Sequence, residues 1–148
     1  MFDIKEIADG RVITEGLPDP YIFCLAIKTR DYETDSQGIV NNANYLHYLE
    51  MTRHAFCEWR GYSFPEMTKD GIIAVLRRVE VDYISSLHGS EMFLSCLWVE
   101  RKGARFIFHQ DLFLPDGTSV AKAQATVVAT SGGHLTKGDE LAVKLNIS

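Results

Sequence analysis

The sequence is short of cysteine, proline and positive charge, and it has no long apolar run. Its three cysteines, Cys24, Cys57 and Cys96, are an odd number, stand far apart and lie inside apolar segments. This argues against a disulfide framework or a metal knuckle and reads as reduced thiols in a core. Fifteen Lys and Arg face twenty Asp and Glu, a formal net charge of −5, which removes the basic face that nucleic-acid binding wants. No segment approaches the roughly 20 apolar residues of a membrane span, and Met1-Phe-Asp-Ile-Lys-Glu lacks a basic n-region followed by an apolar stretch. The expectation is a cytoplasmic protein with neither nucleic acid nor membrane as partner. A chain of 148 residues, 46% hydrophobic and 24% charged, suits a single domain over 1–148 with its core at about 20–130.

What is present is a strand, a helix and then more strands. Residues 1–20 mix charge with glycine, end in Leu-Pro-Asp-Pro and predict no definite element. The run YIFCLAIKT at 21–29 is aromatic and β-branched and too short for an ordinary helix, so it predicts a buried strand. After a polar loop at 30–38, Tyr45, Leu49, Thr52, Phe56 and Trp59 recur at spacings of three and four, with Tyr48 and Ala55 beside them. That is one face of an amphipathic helix, capped by Asn41 or Asn42 and stopped at Gly61.

Residues 62–71 are poorly defined. Val79, Val81 and Tyr83 then alternate with Glu80 and Asp82, a strand with one wet face. Three further runs, 92–100, 105–114 and 118–130, are separated by the hairpin signals Lys102-Gly103 and Pro115-Asp116-Gly117. In the last run Ala121, Ala123, Ala125, Val127 and Ala129 share a face, suited to close approach by the helix. The tail from Ser131 carries a weak amphipathic pattern that fits a strand, a partner contact or a frayed end. The order predicts an α+β fold in which one curled antiparallel sheet buries one helix.

The chemistry concentrates between the first strand and the helix, in Arg30-Asp-Tyr-Glu-Thr-Asp-Ser-Gln-Gly-Ile-Val-Asn-Asn-Ala-Asn-Tyr45. Gly38 permits a bend that folds the Asp35 carboxylate back toward the helix start. The first helical N–H groups have no internal partner and sit at the positive end of the dipole, so they can hold a developing oxyanion. Such a donor is worth roughly 3–4 kcal/mol in acyl transfer. A carboxylate base adds typically 10²–10⁴-fold.

This segment resembles the signature of the hotdog-fold acyl-CoA thioesterases, particularly the 4-hydroxybenzoyl-CoA thioesterase group, on Asp35, Gly38, Val40, Asn41, Asn42 and Tyr45. The Val-Asn-Asn-x-x-Tyr portion is also similar to acyl-ACP thioesterases, and the likeness extends to Glu80-Val-Asp-Tyr83, Gly89-Ser-Glu and Asp116-Gly117. The resemblance implies a hotdog fold, an antiparallel sheet wrapped around one long central helix. It also implies homodimers or homotetramers with sites at subunit interfaces, and hydrolysis of an acyl-CoA or acyl carrier protein thioester. Asp35 is then base or nucleophile, the Asn42 N–H polarises the carbonyl, and Gly38, Val40, Asn41 and Tyr45 border the substrate. No cofactor is implied beyond the coenzyme A of the substrate. Two departures, Asn42 and Ile39 where relatives carry His, concentrate the chemistry on Asp35.

Other readings attach to particular residues. Asp31 and Glu33 are read as loop or surface charges. His47, Glu50 and His54 lack zinc-protease spacing, so no metal is expected. No cysteine has a motif that supplies a neighbouring base. Arg77, Arg78, Lys102 and Arg105 are candidates for the coenzyme A phosphates, with a solvated charged face as the alternative. Two rival functions remain at this level, a hotdog hydratase or dehydratase and a non-catalytic acyl-thioester binding module.

Overall fold

The computed structural model describes residues 7–148; Met1 to Glu6, read above for a leader pattern, lie outside the described residues. The chain runs β1 (Val12–Ile13), β2 (Phe23–Lys28), a 3-10 turn (Asp31–Glu33), α1 (Asn42–Trp59), α2 (Phe64–Lys69) and β3 (Ile72–Tyr83). It continues through β4 (Met92–Lys102), β5 (Arg105–Phe113), β6 (Ser119–Ser131), β7 (His134–Leu135) and α3 (Asp139–Leu145). The strands form one antiparallel sheet in the order β1-β2-β4-β5-β6-β3, with β7 on β6. One face of the sheet shares a core with α1, which is the expected α+β hotdog arrangement.

Periodicity explains the helix. Tyr45, Tyr48, Leu49, Thr52, Phe56 and Cys57 are buried, and Phe23, Phe93 and Phe106 meet that face from the sheet. Each fully buried side chain of this size contributes about 1.5–3 kcal/mol. Trp59, predicted on the same face, is 43% exposed, because it lies in the last turn and covers Phe23 and Phe56 from the rim.

The alanine face of β6 is buried, but its role differs from the expectation. The α1 backbone comes nearest to β2 and β4. The small side chains instead lie in register beside large ones: Tyr83 opposite Ala121, Phe108 opposite Ala125, Phe106 opposite Val127. Methyl groups therefore make room for the rings of neighbouring strands.

Three segments carry more structure than the sequence reading gave them. Residues 62–71 contain α2, opened by a reciprocal cap in which Ser63 Oγ accepts from the Glu66 N–H and Glu66 Oε1 accepts from the Ser63 N–H. The pattern Ser63-x-x-Glu66 signals this start. β3 begins at Ile72, before the wet-face alternation, and a bulge between Leu76 and Arg78 shifts its phase. The tail forms α3, which buries Leu141, Ala142 and Leu145 in the main core.

On the outer face, β1 and its flanks cover Cys24, Ala26, Leu94 and Cys96 with Ile7, Ile13, Leu17 and Tyr21. The β2–β4 register sets Cys24 directly opposite Cys96. Hydrogen bonding to Cys24, and then burial, raises the Cys96 thiol far above its ordinary pKa. Both are free thiols. No helix among the described residues is long and apolar enough to cross a membrane.

The fit around β6 predicts that Ala125→Leu, which puts a larger side chain at a fully buried position opposite Phe108, lowers stability by about 1–3 kcal/mol. Urea unfolding followed by circular dichroism would read this as a lower midpoint at unchanged slope.

Candidate active site

The segment between the 3-10 turn and α1 is a small hairpin. Thr34 pairs with Val40, and the Asp35 N–H donates to Ile39 O at 2.8 Å. The Gly38 N–H closes the turn onto Asp35 O at 3.0 Å, with Gly38 at φ 77°, a left-handed conformation that a residue with Cβ adopts only at a cost. This is a three-residue loop ending in a left-handed glycine. It sets Asp35 just beyond a bridge whose other strand runs directly into the helix.

Asp35 is exposed, and its Oδ1 accepts from the N–H groups of Gln37 at 2.8 Å and Ile39 at 3.3 Å. From the sequence, this carboxylate is expected to fold against the amides at Asn42. The amides it takes are those of its own turn, which lie closer along the chain. Oδ2 has no protein donor among the described residues, so one oxygen is fixed and the other is free to react.

At the helix start, Asn41 is the N-cap: its Oδ1 accepts from the Ala43 N–H at 3.0 Å, and its carbonyl accepts from the Asn44 N–H at 2.9 Å. The Asn42 N–H, at the first helical position, has no protein acceptor among the described residues. One first-turn amide is thus left available at the positive end of an 18-residue helix.

Glu33 holds this geometry, a role the sequence did not disclose. Its Oε1 accepts from the Tyr48 hydroxyl at 2.9 Å and the Arg30 N–H at 2.7 Å. Its carbonyl accepts from the Asn41 N–H and from Asn44 Nδ2, both at 3.0 Å. Burial, and then the Glu33 carboxylate, raise the Tyr48 hydroxyl well above its ordinary pKa, so it stays a proton donor. Asp31 is likewise tied, accepting from Ser90 Oγ at 3.1 Å. Asp31 and Asp35 are both exposed, each with one oxygen that has no protein donor among the described residues, and what distinguishes Asp35 is its place on the hairpin that runs directly into the helix.

The loop after β3 braces the other side. The Val40 N–H donates to Leu87 O at 2.8 Å, and the Leu87 N–H donates to the Tyr45 hydroxyl at 3.3 Å. Tyr45 is buried, with its ring against Tyr48 and Tyr83, so it positions the loop from within the core. Gly89 is pressed so close to Asp31 that a Cβ there would lie 2.6 Å from the Asp31 carboxylate.

The four basic candidates lie apart from this site within one chain. Arg77 stands at the β3 bulge, and Arg78 pairs with Glu80. Lys102, 3.3 Å from Glu100, and Arg105 flank the β4–β5 turn. β4 starts at Met92 opposite Lys28, beside the site, so that turn is about ten residues and roughly 34 Å away along the strand. His54 packs on Phe64 and lies 3.5 Å from Glu50. Burial pushes the Cys57 thiol up to about 12, which makes it a poor nucleophile.

The fold and this loop-to-helix arrangement define the class, a hotdog thioesterase. Solved structures agree. A protein of Aquifex aeolicus superposes with a TM-score of 0.78 at 27% identity, covering 83% of this chain and 98% of that one. At 23% identity a DHNA-CoA thioesterase of Staphylococcus aureus shares the fold, with a TM-score of 0.73 over 79% of this chain and 80% of its own.

By sequence, the family model described as the thioesterase-like superfamily matches residues 29–134, and the chain belongs to that superfamily. YneP of Bacillus subtilis, whose name gives it as a candidate acyl-CoA thioesterase, is 30% identical over 101 residues, 68% of this chain and 73% of its own. The chloroplastic acyl-acyl carrier protein thioesterase ATL3 of Arabidopsis thaliana is 30% identical over 104 residues. The match covers 69% of this chain but only 55% of the plant protein. Thioester hydrolysis is the chemistry these relatives share, and no His stands at the helix start for a hydratase.

The Glu33 anchor predicts that Tyr48→Phe, which deletes one hydrogen bond to a carboxylate and no packing volume, costs about 1.5–3 kcal/mol. Glu33→Gln should lose less, since an amide oxygen still accepts. Thermal unfolding of both variants tests this order.

Proposed function

We propose that the protein is an acyl-CoA thioesterase in which Asp35 acts as general base or nucleophile and the Asn42 N–H stabilises the oxyanion. The observation that carries this is the pairing, across one short hairpin, of a carboxylate with a free oxygen and a helix whose first amide is unpartnered. In the base form, Asp35 takes a proton from water as the oxygen attacks the carbonyl. The tetrahedral oxyanion rests on the Asn42 N–H, and collapse releases the thiolate, leaving a carboxylic acid and free thiol. An acyl carrier protein thioester follows the same steps, and comparison of the two carriers separates them. The cytoplasm, where coenzyme A thioesters and reduced thiols coexist, is the compartment this reading expects.

The working unit is a homo-oligomer joined along β3. This 12-residue strand pairs with β6 on one side only, and Ile73, Leu76 and Tyr83 on it are 58%, 45% and 48% exposed. A long open edge with apolar side chains calls for a partner strand. Antiparallel pairing of two β3 strands reverses one copy relative to the other, so the basic β4–β5 turn of one copy moves to the end of the assembly that carries the helix N-terminus of the second. That supports Lys102 and Arg105 as phosphate contacts made across the interface, while Arg77 and Arg78, on β3 itself, would lie at the seam between the copies.

Thiol release from a panel of acyl-CoAs tests the function directly. Asp35→Asn should lower kcat by about 10²–10⁴-fold with KM little changed; equal rates for variant and wild type would sink the mechanism. Asn42→Pro removes the proposed oxyanion donor at the one helical position where proline is well accepted, and Asn41 at φ −64°, ψ 140° already has the backbone that precedes proline. It should cost about 10²–10³-fold in kcat with stability nearly unchanged.

Alternation along β3, set by the Ile84 N–H donating to Val120 O, turns the Val81 N–H to the open edge. Val81→Pro should therefore yield a monomer in sedimentation velocity while the wild type sediments as a dimer or larger.

A further inference from the structure

Under the C-terminal half of α1 lies a partly open cavity of about 170 Å³. It is walled mainly by apolar side chains, among them Cys57 on α1, Met67 on α2, Leu76 on β3, Phe108 on β5, and Leu141 and Leu145 on α3. Glu50, Arg53 and His54 of α1 also line it, and since a cavity of about 150 Å³ accepts a benzene-sized guest, the apolar volume here suits an acyl tail of about six carbons or one aromatic ring.

The α3 wall lies beyond residues 29–134, the span matched by the family model. It is also held firmly. Leu141 and Leu145 are 3% and 1% exposed, and Gly138, just before α3, touches β5 so closely that a Cβ would lie 2.9 Å from the Phe106 ring.

Distance decides which active site the cavity serves. The first α1 residue on its wall is Glu50, eight residues and about 12 Å from Asn42 along the same helix. An extended six-carbon tail reaches only roughly 6–8 Å at the projected length of a C–C bond. A six-carbon chain whose carbonyl rests on the Asn42 amide therefore falls short of the cavity of its own chain. The second copy can supply it. Ala74 and Leu76 of β3 border the cavity, whereas Tyr83, at the other end of the strand, packs on Tyr45 beside the helix N-terminus. Antiparallel pairing of two β3 strands brings these opposite ends together.

We infer that the cavity is the acyl-tail pocket for the active site of a second copy, and that Leu141 and Leu145 of α3 are the end wall that fixes tail length. This rests on the thioesterase reading above and on the β3 dimer.

The test is thiol release by the full chain from straight-chain acyl-CoAs, acetyl to palmitoyl, and from benzoyl-CoA. The wild-type kcat/KM should peak near hexanoyl. Leu145→Ala should move the peak toward decanoyl and raise kcat/KM for dodecanoyl-CoA at least about tenfold, and Cys57→Leu should move it toward butyryl. A purely structural role would not shift the optimum in opposite directions. Leu141→Val supplies a milder enlargement if Leu145→Ala does not fold. An unchanged optimum in enlarged and filled variants of an active enzyme overturns the assignment and leaves the thioesterase reading intact.

If the wild type releases no thiol at all, that reading fails, and calorimetric titration with the same acyl-CoAs decides the cavity. An affinity optimum that moves with Leu145→Ala supports the pocket, and length-independent binding overturns it. Co-expression of Asp35→Asn with Cys57→Phe separates the copies: restored hydrolysis supports a pocket used across the interface, and no restoration overturns it.

Discussion

Everything in this molecule depends on an 18-residue helix that must bury one face and leave its first amide in the open. The two demands pull in different directions, since burial is cheapest when every polar end is satisfied. The fold meets both by curling the sheet under the middle of α1 while the N-terminus projects to the end where β2 finishes and β4 begins. Asn41 then satisfies the Ala43 and Asn44 amides and leaves the Asn42 amide unused.

Glu33 converts that geometry into a fixed site. One residue ties the 3-10 turn to the cap through its carbonyl and to the second helical turn through its carboxylate. The hairpin that carries Asp35 is therefore set by a half-buried ionic hydrogen bond, and Asp35 itself can stay exposed. Division of labour between neighbouring carboxylates follows from position: Glu33 fixes the cap and the helix, Asp31 meets the Ser90 loop, and Asp35 stands on the hairpin that leads into the helix start.

The central helix and the β4–β5–β6 meander were legible because their apolar periods run long enough to exceed chance, and because Lys102-Gly103 and Asp116-Gly117 mark the hairpins. The Asp35-to-Tyr45 segment was legible as a motif. What escaped detection was short or non-local. α2 is six residues long and announced only by its Ser63–Glu66 cap, and α3 is seven residues long with a weak pattern. The Cys24–Cys96 juxtaposition depends on register between strands far apart in sequence. The role of Glu33 depends on Tyr48, a partner fifteen residues away that no local rule connects to it. The alanine stripe on β6 was visible as a small-residue face, but what fills the space above it, rings from β3 and β5, is decided by register as well.

Gly89 carries a consequence of a different kind. Two loops from distant parts of the chain meet there, and the first atom a side chain would strike is the Asp31 carboxylate oxygen, while the Asp31 backbone stands at ordinary contact distance. A substitution would turn that exposed carboxylate aside and take from the Ser90 hydroxyl its acceptor. Position 89 thus works as a latch: the glycine lets one side-chain hydrogen bond hold the two loops together, and a larger residue would unfasten them without touching the core.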